Sequence, residues 1–223
     1  MKNTQTLRGL QGINELIYRQ VNDRDYDPAD MIQRIHRYAT QILKCERKER
    51  IDHIGHYVAM GLSWSLALAN RLHIDVQKEL WTRFPGVCPY CSSAPCSCKV
   101  RREDRAQEPQ SDIPEPSNSF GFQVMLHGIY PMNTLNDSAK HLSEEVGELS
   151  EAFHFYRGKH GGGQFEEIVT ELIDVITNLF AVASSVKIDL SREFQHAFED
   201  GCYRCHLTPC QCGFVTDKSV SIR

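Results

Sequence analysis

Two pairs of acids stand at helical spacing in the second half of the chain, Glu145 with Glu148 and Glu171 with Asp174, and Glu144 adjoins the first pair. If both pairs sit on neighbouring helices, four carboxylates converge. A pair about 4 Å apart at an effective dielectric near 20 repels by roughly 4 kcal/mol, so such a cluster is either solvated or neutralised by a cation. A solvated face is the ordinary fate of a Glu-rich helix. Here each pair is flanked by a strongly apolar stripe, which holds the acids close to a core. All-oxygen ligation selects a hard cation, Mg²⁺ or Mn²⁺, over zinc. A di-iron bundle would carry Glu-x-x-His on two helices. Neither pair ends in His, although His141 lies three residues before Glu144. Mg²⁺ in a carboxylate cage keeps waters and binds substrate phosphates, which is the chemistry of phosphoryl or nucleotidyl hydrolysis.

The cysteines suggest a second kind of metal. Cys88, Cys91, Cys96 and Cys98 form C-x-x-C-x4-C-x-C, and Cys202, Cys205, Cys210 and Cys212 repeat it, with Pro95 and Pro209 shaping the turns. Four thiolates within so short a loop suit a tetrahedral, closed zinc site whose role is structural. Iron–sulfur ligation is the minor alternative. Cys45 has no cysteine counterpart and reads as an ordinary helix residue.

Helices must position these groups. Leu142, Val146, Leu149 and Phe153 recur at helical spacing, with Glu144, Glu145, Glu148 and Glu151 on the neighbouring face. Asn136, Asp137 or Ser138 is available to cap the start of that helix. The run RGKHGGGQ, with Gly161 to Gly163, reverses the chain. It lacks the strand and Lys-Ser/Thr of a phosphate-binding P-loop. A helix from about Phe165 to Val186 follows, buried through Ile168, Leu172, Val175, Ile176, Leu179 and Val182. Its Glu167, Glu171, Asp174 and Asn178 form one polar stripe. A short helix near Phe122 to Tyr130, ended by Pro131, precedes the pair, and another, about Ser191 to Asp200, leads into the second cysteine loop.

The chain also reads over itself. Ala67 to Cys98 lies over Ala181 to Cys212 at an offset of 114 without a gap. Leu10, Gln11, Ile17 and Tyr18 match Phe122, Gln123, Ile129 and Tyr130 at an offset of 112, which predicts a first loop two residues longer in the first copy. The long helices of that copy are expected over Asp30 to Leu43 and Ile51 to Leu72. Met31, Arg34, Tyr57 and Met60 stand where the four acids stand in the second copy, and Trp64 stands opposite Asn178. One live site and one retired one are expected. The expected organisation is a first repeat over 1–98, a charged, proline-bearing linker over 99–119 and a second repeat over 120–223.

The string EEVGELSEAF, a hairpin, and then ELIDVITNLFAVA resembles the MazG-like all-α nucleoside-triphosphate pyrophosphohydrolases, whose signature is E-E-x-x-E followed by E-x-x-D. The match covers about Phe122 to Glu193. The resemblance implies Mg²⁺-dependent hydrolysis between the α and β phosphates, giving a nucleoside monophosphate and pyrophosphate. It implies Glu145, Glu148, Glu171 and Asp174 as metal ligands, with Glu144 helping to orient metal or water. Asn178 would face the substrate and Phe155 would stack on the base. Many relatives follow the last core helix with a Lys/Asn/Arg-Tyr-Pro segment that contacts phosphates. Here that region reads SREFQHAFEDGC, so Lys159, Arg157 and Lys187 become the candidate phosphate contacts. The fold expected is all-α, two tandem MazG-like bundles forming a pseudo-dimer, each closed by a zinc loop. The first repeat is either scaffold or lends Arg34, Arg37, His53 and His56 across the pseudo-twofold. The competing class is a non-catalytic, zinc-stabilised helical interaction or regulatory module.

A net charge of −4 gives no electrostatic reason to expect nucleic acid or an anionic membrane as a partner. No apolar run approaches the roughly 18 residues of a membrane span, and the start lacks a signal-peptide core. The expectation is a soluble, cytoplasmic protein acting on a nucleotide. A homodimer built on the intrachain pseudo-dimer is compatible with it.

Overall fold

The computed structural model describes residues 5–98, 112–131, 133–158 and 163–213. Among them are eight α-helices and no strand: α1 (Leu7–Asp25), α2 (Pro28–Arg47), α3 (Ile54–Arg71), α4 (Val76–Arg83), α5 (Ser119–Ile129), α6 (Leu135–Gly158), α7 (Gln164–Ser185) and α8 (Leu190–Ala197). The all-α expectation holds.

Local chemistry sets the ends. Asp27 and Asp30 form a reciprocal capping box with Pro28 in the first turn, so α2 begins earlier than the apolar pattern predicts. Thr134 caps α6, its hydroxyl accepting from the Asp137 backbone N–H at 3.2 Å, in place of the three residues expected from sequence. Asp75 and Asp189, equivalent in the repeat, cap α4 and α8 in the same way. His73 and Lys187, also equivalent, take left-handed conformations just beyond α3 and α7. The longer first loop predicted for the first copy is instead a longer helix. α1 runs on to Asp25, whereas Pro131 follows closely on the end of α5. The helix expected from Ile51 starts as a 3-10 turn over Ile51–His53.

Two hairpins, α2 with α3 and α6 with α7, pack on each other through α2 against α6 and α3 against α7. The expected apolar residues of α6 and α7 are all buried, and residues from both halves join one core. α3 and α7 come close at Gly61, where an added Cβ would lie 3.0 Å from a Leu179 methyl. α7 is long and apolar enough to cross a membrane by length and composition alone, contrary to the sequence estimate, but 56% of that window is buried inside the molecule. It is the central core helix of this bundle.

The halves share internal ties and exchange outer ones. Gln11 bridges the Ile74 carbonyl and the Val76 N–H, and Gln123 bridges the Ile188 carbonyl and the Leu190 N–H. Each cysteine loop then closes on the first helix of the other half. The Cys96 N–H donates to the Ile129 carbonyl and the Cys210 N–H to the Ile17 carbonyl, both at 2.7 Å. Phe84 packs edge to face on Tyr130, as Phe198 does on Tyr18.

Candidate active site

The α6–α7 hairpin brings three of the predicted acids together. Glu145 and Glu148 on α6 and Glu171 on α7 place carboxylate oxygens within 4.8 Å of one another. Burial, followed by the charges of Asp174 and Glu148, pushes the Glu171 carboxyl up to about 7 against the opposing pull of Arg83. One Glu171 oxygen is buried with no hydrogen-bond partner. A carboxyl held near neutrality beside two others is a group that gives up its proton when a cation arrives. The donor set therefore fits a hard divalent ion.

Asp174, the fourth expected ligand, is engaged elsewhere. Both of its carboxylate oxygens accept from Arg83, through Nε and Nη2, and the two side chains are 13% and 8% exposed. Arg83 comes from the end of α4, in the other half of the chain. Burial works against its charge, but Asp174 more than offsets this and raises its pKa. Its third nitrogen, Nη1, is buried with no hydrogen-bond partner.

A cavity of about 360 Å³ adjoins the cluster, lined by Glu145, Asp174, Thr177 and Asn178 from one half and by Arg83, Tyr90 and the first cysteine loop from the other, while Glu148 and Glu171 are not in its lining. Asn178 is at the cavity as expected, its amide donating to the Asp174 carbonyl at 3.0 Å.

Several expected residues stand apart. Glu144 is exposed and pairs with His141 on the same helix at 3.0 Å, outside the cluster. Phe155 is half exposed, with its ring against His154, and does not line the cavity. Lys159 lies outside the described residues. Arg157 and Lys187 are exposed and line no part of the cavity. Of the first-half residues, Arg34, Arg37, His53 and His56 are absent from its lining, and Arg83 supplies the cation instead. The sequence carried a signal for Arg83: the repeat places Ala197 opposite it, an asymmetry of opposite charge to that of the acids.

No protein-family model, curated protein or solved structure matches this chain.

The cysteine loops are two further candidate metal centres. Cys88 and Cys98, and likewise Cys91 and Cys96, have sulfurs 3.9 Å apart, and the corresponding pairs of the second loop repeat that distance. Thiolates about 2.3 Å from a tetrahedral zinc would be roughly 3.8 Å from one another. A disulfide needs about 2.05 Å, and all nine cysteines are free. Burial opposes ionisation of Cys91, but the backbone N–H of Ser97 and further donors bring its thiol down to about 5. The backbone N–H of Gln211 is the main cause that lowers Cys205 to about 6. Burial raises Cys96, Cys98, Cys210 and Cys212, so each loop pairs one readily ionised thiol with others that a bound cation would have to deprotonate.

Proposed function

We propose that this chain is a Mg²⁺- or Mn²⁺-dependent nucleotide pyrophosphohydrolase. It would cleave a nucleoside triphosphate between the α and β phosphates into a nucleoside monophosphate and pyrophosphate. The observation that carries the reading is one juxtaposition. Three glutamates converge, and one of them, Glu145, lines a cavity that also holds a buried arginine with an unpartnered N–H. A cation site and a guanidinium donor within one concavity suit an anionic, metal-bound phosphate chain.

In this reading Glu145, Glu148 and Glu171 hold the divalent ion, which supplies Lewis-acid polarisation and an activated water. Arg83 Nη1 donates to a phosphate oxygen, and Asp174 orients Arg83 through its bidentate pair. The MazG-like pattern makes Asp174 a fourth ligand; in the observed arrangement it serves the arginine, and joining the ion would require releasing it. Asn178 and Thr177 face the substrate from α7. The two tandem MazG-like repeats form a pseudo-dimer in which only the second retains the acids. The two cysteine loops hold structural zinc, a role that fits their sulfur spacing.

The test is pyrophosphate release from a panel of canonical and modified nucleoside triphosphates with Mg²⁺ or Mn²⁺, beside Glu148→Gln. Metal-dependent release that the variant abolishes is the expected result. No release from any nucleotide by folded, zinc-loaded protein would favour a non-catalytic helical interaction module.

A further inference from the structure

The first half holds a cavity of its own, about 150 Å³ in volume. Tyr18, Ser63, Trp64 and Cys202 line it where Tyr130, Thr177, Asn178 and Cys88 line the acid site. It is therefore the repeat counterpart of that site, walled by the cysteine loop of the opposite half.

Its chemistry has changed. Met31, Arg34, Tyr57 and Met60 replace the four acids, so it offers no carboxylate set for a hard cation. Tyr26 and Trp64, both in its wall, meet edge to face with ring centres 5.1 Å apart. The Arg34 guanidinium lies 5.5 Å from the Tyr26 ring centre and 5.9 Å from that of Trp64. A guanidinium stacked on a ring face keeps its N–H donors in its own plane, where they can meet an anion. Arg34 itself is not in the lining but stacks on two rings that are, and Arg204 lines the cavity directly.

The cavity also contains an unanswered polar group. Asn14 lines it and is 1% exposed. Its Nδ2 donates to both the Ser63 carbonyl and the Ser63 hydroxyl at 2.9 Å, which fixes the orientation of the amide. Oδ1 is then a buried acceptor with no partner, a situation that costs roughly 1–3 kcal/mol until a donor arrives. Leu126 stands at the matching position in the second half, so the acceptor belongs to this cavity alone.

We propose that this cavity is a metal-independent binding site for a nucleoside monophosphate. The base enters against the aromatic side chains that line the cavity and donates an N–H to Asn14 Oδ1, and the phosphate stays at the mouth against Arg34 and Arg204. A volume of about 150 Å³ takes a single base and leaves the sugar and phosphate outside. The choice of a nucleotide rests on the reading of the acid site, whereas the ring-binding walls, the cations and the buried acceptor do not. With no cation-holding acids the site binds and does not cleave, so a product of the proposed reaction is the ligand it suits.

The chain has two tryptophans, and Trp81→Phe leaves Trp64 as the sole indole reporter. In that background AMP, CMP, GMP and UMP are titrated in Mg²⁺-free buffer, with ribose 5-phosphate as the probe lacking a base. The expected result is saturable quenching of Trp64 by at least one monophosphate and none by ribose 5-phosphate. Arg34→Gln should weaken that binding at least tenfold, and Glu148→Gln should leave it unchanged. No quenching by any monophosphate, equal binding of ribose 5-phosphate, indifference to Arg34→Gln or loss in Glu148→Gln would each overturn the proposal. Because this readout needs neither divalent metal nor turnover, it can fail while pyrophosphate release stands, and the reverse.

Discussion

At the scale of single residues, a buried arginine and three glutamates would divide the work of the proposed site. If Arg83 binds phosphate as proposed, Arg83→Ala removes a charged hydrogen bond worth about 1.5–3 kcal/mol, and steady-state kinetics should show KM or kcat/KM worsening by roughly 10- to 100-fold. Arg83→Lys should recover little, because a single ammonium cannot hold both Asp174 oxygens and still reach a phosphate. Glu171 sets a pH dependence. Its carboxyl is raised to about 7 in the folded protein, above an unfolded value near 4.3. The folded state therefore binds more protons between those limits, and the metal-free protein should lose stability as pH rises from about 4.3 through 7. Divalent-ion affinity should rise over the same range, with proton release on binding, measurable by calorimetry in buffers of different ionisation enthalpy. The acid motif was legible because its spacing is helical. Asp174's partner was not, because Arg83 lies 91 positions away and only the packing of α4 on α7 brings them together. Glu144 belongs to the written motif yet faces solvent, one step of the helix away from the buried stripe.

At the scale of helices and loops, the sequence predicted every buried stripe of the second hairpin, because apolar periodicity is local information. It placed the helix ends less well, since those depend on caps such as Asp27 with Asp30 and Thr134, whose competing candidates lie within a residue or two. Gly61 marks a close approach of α3 to α7, and Gly61→Ala should push the two helices apart at Leu179. Chemical denaturation should report a loss of about 1–3 kcal/mol. The cysteine loops should bind two zinc ions per chain by elemental analysis. Replacing Cys88 and Cys98 by Ser should impair the acid site as well as stability, because that loop forms a wall of its cavity. The same change at Cys202 and Cys212 should lower stability, with its local effect falling on the cavity of the first half.

At the scale of the whole molecule, the exchange of cysteine loops makes two similar halves one unit. Each loop hydrogen-bonds to the first helix of the other half, and the cores merge. Sequence comparison within the chain found the two copies, but not this exchange, because a repeat shows which residues correspond and not which copy they touch. Residues 1–98 and 112–223 expressed separately should each lack a cooperative unfolding transition, and mixed fragments should form a one-to-one complex that regains it. The asymmetry distinguishes the two cavities: acids and Arg83 line one, and aromatic rings backed by Arg34 line the other. The most direct check of the central claim is the identity of the products, followed by ³¹P NMR while wild-type protein turns over a nucleoside triphosphate with Mg²⁺. Nucleoside monophosphate and pyrophosphate appearing together in equal amounts is the expected result. Nucleoside diphosphate with inorganic phosphate, or a spectrum that does not change for any nucleotide, would contradict it.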